Sequence, residues 1–192
     1  MPTLADLPSS PWRPLSGADA TRVAAVVTHL VSRLDFVTDW RLQKAYFLAE
    51  VRSVEERLCR LSAADFASWM HGPWSLHVRE AAEVLEADEV LQRVVRPALR
   101  RPEAEFLRVT NTRKIAYVGD VEGGFLDLVS KEIKYLNGEA LTNLAKNTTP
   151  FRVTSPRERI DLDHYLESMK EKHARFARSP KVASLVAEAK AE

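Results

Sequence analysis

The sequence predicts a mainly α fold: a single compact helical domain with a small β-hairpin as a minor α+β component. Three observations carry this. Apolar residues recur at helical period in several separate stretches. Ser, Thr and Asn caps and glycine or proline breaks punctuate those stretches at helix-length intervals. Alternating apolar residues occur in one short region only, Glu105 to Val118. At 192 residues the chain suits one domain with extra pieces at its ends. We divide it into a flexible Pro-rich arm (1–15), a helical domain (16–178) and a C-terminal helix or tail (179–192).

The stretch Thr38 to Val51 organises the rest. Thr38 is a good N-cap and Asp39 suits the positive end of the helix dipole. Leu42, Ala45, Tyr46 and Ala49 form one apolar face, and Phe47, Leu48 and Val51 extend it round most of the circumference. A helix that is apolar nearly all round needs packing partners on several sides. The charged run Val51 to Arg60 is expected to face solvent.

In the arm, Pro2, Pro8, Pro11 and Pro14 forbid a helix interior and Trp12 is the one anchor. It is either a disordered tail or a segment that orders on a partner. Ser16 to Asp19 is a capping pattern for a helix to about Leu34, striped by Val23, Val26, Val27, Leu30, Val31 and Leu34. His29 borders that stripe in a structural role. Ser62 and Asp65 predict a capped short helix through Phe66, Ala67, Trp69 and Met70, stopped at His71-Gly72-Pro73. Pro73 then opens a helix from Trp74 to about Ala87.

Leu91 to Arg101 reads as a basic connector, followed by a hairpin of 105–110 and 113–118 around Asn111-Thr112. A helix from Val121 or Gly124 to Leu136 buries Phe125, Val129, Ile133 and Leu136. A short helix (Glu139 to Lys146), a loop (147–157), a helix over 161–177 and a last one from Ser179-Pro180 complete the chain.

Composition bounds the function. The apolar fraction is 45%, the charged fraction 29% and the net charge +1, so nothing global points to nucleic acid or a membrane surface. The single cysteine, Cys59, excludes an intrachain disulfide and a multi-cysteine zinc site and suits a reducing cytoplasm. No apolar run reaches the ~18 residues of a membrane span, and the N-terminus lacks the apolar core of a signal peptide. His71 and His77 are spaced wrongly for one helical face, and neither a P-loop nor GxGxxG occurs. We therefore expect no cofactor, no metal, no catalytic residue and no enzyme. Arg93, Arg96, Arg100, Arg101, Arg108, Arg113 and Lys114 could meet phosphate. Nearby Glu86, Glu89, Glu103 and Glu105 balance them, which makes nucleic acid an improbable partner.

The run Arg41-Leu42-Gln43-Lys44-Ala45-Tyr46-Phe47, followed by Phe66-Ala67-Ser68-Trp69-Met70-His71-Gly72-Pro73-Trp74, resembles the Panacea (SocA-like) antitoxin domain. That family has a "K-L-Q-K-L-x-Y-F" helix and an "F-x-A-W-x-x-G-P" turn, and the order and spacing fit roughly residues 36 to 166. The first family lysine is Arg41 here. A Thr-His pair is replaced by Lys146-Asn147, and Pro150 is followed by Phe151 rather than tryptophan. The resemblance implies an antitoxin that neutralises a protein toxin encoded nearby, by direct binding. The alternative is an adaptor or regulatory module, delivering a protein to a protease or binding nucleic acid. Leu42, Tyr46, Phe47, Phe66, Gly72 and Pro73 then form the structural motif. Partner-contact candidates are Lys44, Trp69, His71, Trp74, Arg100 and Arg101, with Trp and Arg favoured as interface anchors. A homo-oligomer or hetero-complex is possible on this expectation, and the apolar stripe Val182, Leu185, Val186 and Ala189 is one candidate for forming it.

Overall fold

A computed structural model describes residues 12–35, 37–98, 101–111 and 119–178. The fold is mainly α with two small two-stranded sheets among the described residues. Helix α1 (Gly17–Arg33) starts at the Ser16 cap, whose hydroxyl accepts from the Asp19 amide at 3.1 Å. Helix α2 (Asp39–Arg57) starts at Thr38, which accepts from the Arg41 amide at 3.2 Å. Strand β1 (Phe66–Ala67), helix α3 (Leu76–Ala87) and strands β2 (Leu91–Ala98) and β3 (Arg101–Val109) follow. Then come α4 (Asp120–Ile133), α5 (Gly138–Lys146), α6 (Thr149–Arg152), β4 (Arg159–Ile160) and α7 (Leu162–Ala177).

Helix α2 is the hub. Helices α1, α3, α4, α5 and α7 all pack against it. Twelve of its nineteen residues are buried, from Leu42 to Val54. Tyr46 and Phe47 are fully buried and meet Phe66 with ring centroids 5.9 and 5.2 Å apart. The central-helix expectation holds, but the solvent-facing expectation for Val51 to Arg60 does not. Ser53 and Val54 are buried, and the charges there tie down neighbouring helices. Arg52 pairs with Glu132 and Arg57 with Glu122 of α4. Arg60 pairs with Asp163 at 2.8 Å, and Glu55 accepts from the Tyr165 hydroxyl at 2.6 Å. The helix ends at Leu58, which takes the left-handed conformation (φ 54°).

Glu50 is 0% exposed and would be costly alone. Its carboxylate accepts from Arg60 Nε at 3.0 Å, the Leu61 amide at 3.1 Å and the Ser62 hydroxyl. Ser62 in turn accepts from the Tyr46 hydroxyl at 2.9 Å. This network explains why the short helix expected at 62–70 is absent. The Ser62 hydroxyl donates to Glu50 while its oxygen accepts from Tyr46 and, at 3.2 Å, from the Ala64 amide, and the Asp65 carboxylate, which would complete the capping pattern, takes Arg13 (2.7 Å) and Arg159 (3.5 Å) instead. Residues 66–67 instead pair with β4, Phe66 opposite Ile160.

Four other boundaries differ from expectation. Helix α3 starts at the Ser75 cap, two residues beyond Pro73. The basic connector is strand β2, and the hairpin is one strand earlier than expected: β2 pairs with β3, Leu91 opposite Val109 and Arg93 opposite Leu107. Arg93 hid the alternation, because it points to the buried face yet is held by Asp39 (2.6 Å) and Glu86 (2.8 Å). Pro97 lies at the register irregularity between Arg96 and Ala98, where a strand tolerates proline. The loop at 147–157 contains the single turn α6. The expected strand 113–118 and the helix from Ser179 lie outside the described residues, as do residues 1–11 of the arm.

The last four residues of the arm are tethered. The Asp65 amide donates to His77 Nδ1 at 3.1 Å, so Nε2 carries the ring proton and donates to the Arg13 carbonyl at 2.8 Å. Burial works against the Asp65 carboxylate, but the Arg13 and Arg159 guanidiniums outweigh it and hold it below the usual carboxylate range. His29 bonds Asp127 of α4 at 2.7 Å, the structural role expected of it.

Removing one partner of a buried charge pair strands the other. Glu50→Ala is expected to destabilise by about 3–5 kcal/mol. Glu56→Ala, which breaks a surface pair with Arg52, is expected to cost less than about 1 kcal/mol. Urea unfolding of both variants checks this contrast.

Candidate functional site

Two polar residues, Gln43 and Lys44, sit on the buried face of α2 where it meets residues 66–75. Gln43 makes a paired contact with the Ser75 backbone. Its Nε2 donates to the Ser75 carbonyl at 2.9 Å, and its Oε1 accepts from the Ser75 amide at 2.8 Å. Lys44 is 0% exposed, and its Nζ donates to the Pro73 carbonyl at 3.1 Å. The ammonium also lies 3.8 Å from the centroid of the Trp40 ring, a cation–π distance.

The turn is held from other sides as well. Ala67 and Trp74 form an antiparallel bridge with bonds of 2.8 and 3.1 Å, closing a loop over 68–73. The Ser68 amide donates to Glu158 and its carbonyl accepts from Arg157, joining the loop to the approach to β4. Lys146, at the end of α5, donates to the Met70 carbonyl at 2.6 Å. Gly72 has φ +97°, a left-handed conformation that disfavours any side chain. A Cβ there would lie 3.1 Å from Lys44 Cε, so the lysine would have to shift by a few tenths of an ångström in addition to the conformational strain.

The result is a rigid knuckle that presents Met70 (65% exposed) and His71 to solvent. An aromatic cluster backs it: the His71 ring lies 5.2 Å from Trp40 and 4.9 Å from Trp69, both edge-on, and Trp69 is 6.3 Å from Trp74. Trp74 buries its indole N–H without a hydrogen-bond partner among the described residues.

Burial, and then the like charge of Lys146, lowers the Lys44 pKa to about 7. The amine is thus neutral or charged at little cost near physiological pH.

The expected contact residues separate into two groups. Lys44, Trp69 and Trp74 are buried and build the knuckle from within, while His71 is on its surface. Arg101 opens β3 on the distant hairpin, and Arg100 lies outside the described residues. The structural-motif residues Leu42, Tyr46, Phe47 and Phe66 are all core, and Pro73 is buried in the turn. Trp40, Gln43 and Lys146 were missed as site residues. A Gln-Lys pair inside an otherwise apolar helix was the available signal, since two buried polar residues need partners. Met70 had no signal, because its exposure follows from the loop.

Among the described residues, no group of three His, Cys, Asp or Glu side chains is placed to hold a metal ion, and no helix is long and apolar enough to cross a membrane. No protein-family model matches the chain, and no match was found among curated proteins or solved structures.

The depressed Lys44 pKa has a consequence for stability. Between about pH 7 and 10.5 the unfolded chain holds a proton that the folded chain has released, so Lys44 makes stability rise with pH across that window. Lys44→Met keeps the bulk and removes the titration. Wild-type stability minus variant stability is expected to grow from about pH 6 to about pH 9.5, as measured by urea unfolding.

Proposed function

We propose that this chain is an antitoxin that neutralises a toxin encoded beside it by direct protein contact, with the knuckle at Met70 and His71 as a contact surface. The observation that carries this reading is that the two segments resembling the antitoxin domain, although separated in sequence, form one structural unit. Gln43 and Lys44 hold the backbone of the turn that ends at Trp74. A binding mechanism needs a preorganised surface with a few anchors, because ordering a loop on association costs affinity. A methionine on a braced turn, with an imidazole and three indoles behind it, has that form. Methionine also adapts well to an irregular apolar partner surface.

The test is growth of a host expressing the adjacent gene. The neighbour alone is expected to arrest growth, and co-expression of this chain to restore it. Met70→Asp, on a side chain that contributes nothing to the core, should fold normally and lose the rescue together with retention of the neighbour in a pull-down. A harmless neighbour would remove the antitoxin reading. Full rescue by Met70→Asp would move the contact surface elsewhere.

A further inference from the structure

Two lysines reach the same turn from two helices. Lys44, from α2, donates to the Pro73 carbonyl at 3.1 Å, and Lys146, from α5, donates to the Met70 carbonyl at 2.6 Å. Gly72 sits between them. Its Cβ position is 3.1 Å from Lys44 Cε and 3.4 Å from the methyl of Thr142, which is one helical turn before Lys146 on the same side of α5. The charge of Lys146 acts on Lys44, adding to the effect of burial. His71, exposed on the same turn, is a third group that can carry positive charge.

No acid offsets these cations among the described residues. The lysines that form ion pairs there are Lys134 and Lys170. Asp39, beside Trp40, is taken by Arg93 at 2.6 Å. On the segments that frame the turn, Glu139 opens α5 and Glu158 meets Ser68 through its backbone, and neither pairs with Lys44, Lys146 or His71. Lys131 and Lys172 are unpaired too, but both are exposed on helix faces where water solvates them. Lys146 is half-buried and Lys44 fully buried.

Bracing the turn does not call for these charges. The Met70 carbonyl needs a donor, and a neutral amide would serve, as Gln43 does for Ser75. Two like charges on one rigid turn cost the free chain stability, and a local rule broken with no gain inside the fold marks a functional position. After bonding Met70, the Lys146 ammonium has two N–H groups left. They lie at the exposed side chains of Met70 and His71.

We infer that the knuckle takes a carboxylate of its protein partner on Lys146 and His71, with Met70 packing on an apolar side chain beside that carboxylate. The inference rests on the reading of the knuckle as a contact surface and adds the chemistry the partner presents there. Lys44 lies too deep to touch the acid and contributes through its field, which burial leaves poorly screened. A nucleic-acid backbone suits this site less well. Its regularly spaced phosphates are met by rows of basic side chains, whereas here the cations converge beside one large apolar residue in a chain of net charge +1.

The first experiment needs no partner. Acetate is titrated at constant ionic strength into the isotope-labelled full chain, and the amides of Met70, His71 and Gly72 are followed by NMR. They are expected to shift saturably with a Kd on the order of tens of mM. Lys146→Gln should abolish the saturable shift. Lys146→Arg, which keeps both the charge and a donor for Met70, should stay within about threefold of wild type. The second experiment measures affinity for the neighbouring gene product. Lys146→Glu is expected to weaken it at least about tenfold, and Lys170→Glu, on α7, to leave it unchanged. Acetate that moves none of the three amides saturably, or moves them equally in Lys146→Gln, overturns the inference. So does a neighbour that binds Lys146→Glu as tightly as wild type. If wild type fails to retain the neighbour while acetate binds through Lys146, the antitoxin reading falls and the carboxylate site stands. If a DNA duplex binds through the same amides and Lys146→Glu abolishes that binding, the anion is a phosphate and the inference is wrong.

Discussion

A helix buried over most of its surface can keep a polar side chain only if a neighbouring group supplies the partner, and three of the four buried polar residues of α2 find theirs in the segments wrapped around it. Glu50 takes Arg60, Leu61 and Ser62. Gln43 takes both backbone groups of Ser75, and Lys44 takes the Pro73 carbonyl and the Trp40 face. Each unmet group would cost on the order of 1–3 kcal/mol, more for the charged ones, so these bonds fix the path of two flanking segments. Apolar burial places α2 in the centre. Its polar residues decide where 60–62 and 73–75 must lie against it. The knuckle is a result of that second constraint.

The same logic separates the two sides of the turn. Inside, polar groups and indoles are buried, and a neutralisable lysine lowers the cost of being there. Outside, Met70 and His71 carry little structural duty. A loop braced from α2, α5 and the β4 approach presents them in one conformation, which is what recognition by a preformed surface requires.

Helix positions were legible in the sequence because caps and apolar period agree there. Ser16 and Thr38 each accept the expected amide bond, and the stripe of α1 is buried as its spacing implies. Legibility failed where a residue had two possible uses. Ser62 and Asp65 match a capping pattern but serve Glu50 and Arg13, and that choice is made by residues distant in sequence. Arg93 in β2 looks solvent-exposed until Asp39 and Glu86 are seen beside it. The candidate site was half legible. The Gly72-Pro73 turn and Lys44 stood out, but that they touch, and that Lys146 braces the same loop, depended on tertiary packing.

The central claim is that a polar side chain of α2 holds the turn. Amide hydrogen exchange in Gln43→Met tests it most directly. Methionine preserves the bulk of the side chain while removing both bonds to Ser75. The account predicts that the Ser75 amide loses protection by at least about tenfold, while the amides of Val26 and Leu126 in the core stay within about twofold of wild type. Unchanged protection at Ser75, or an equal loss at all three amides, would contradict it.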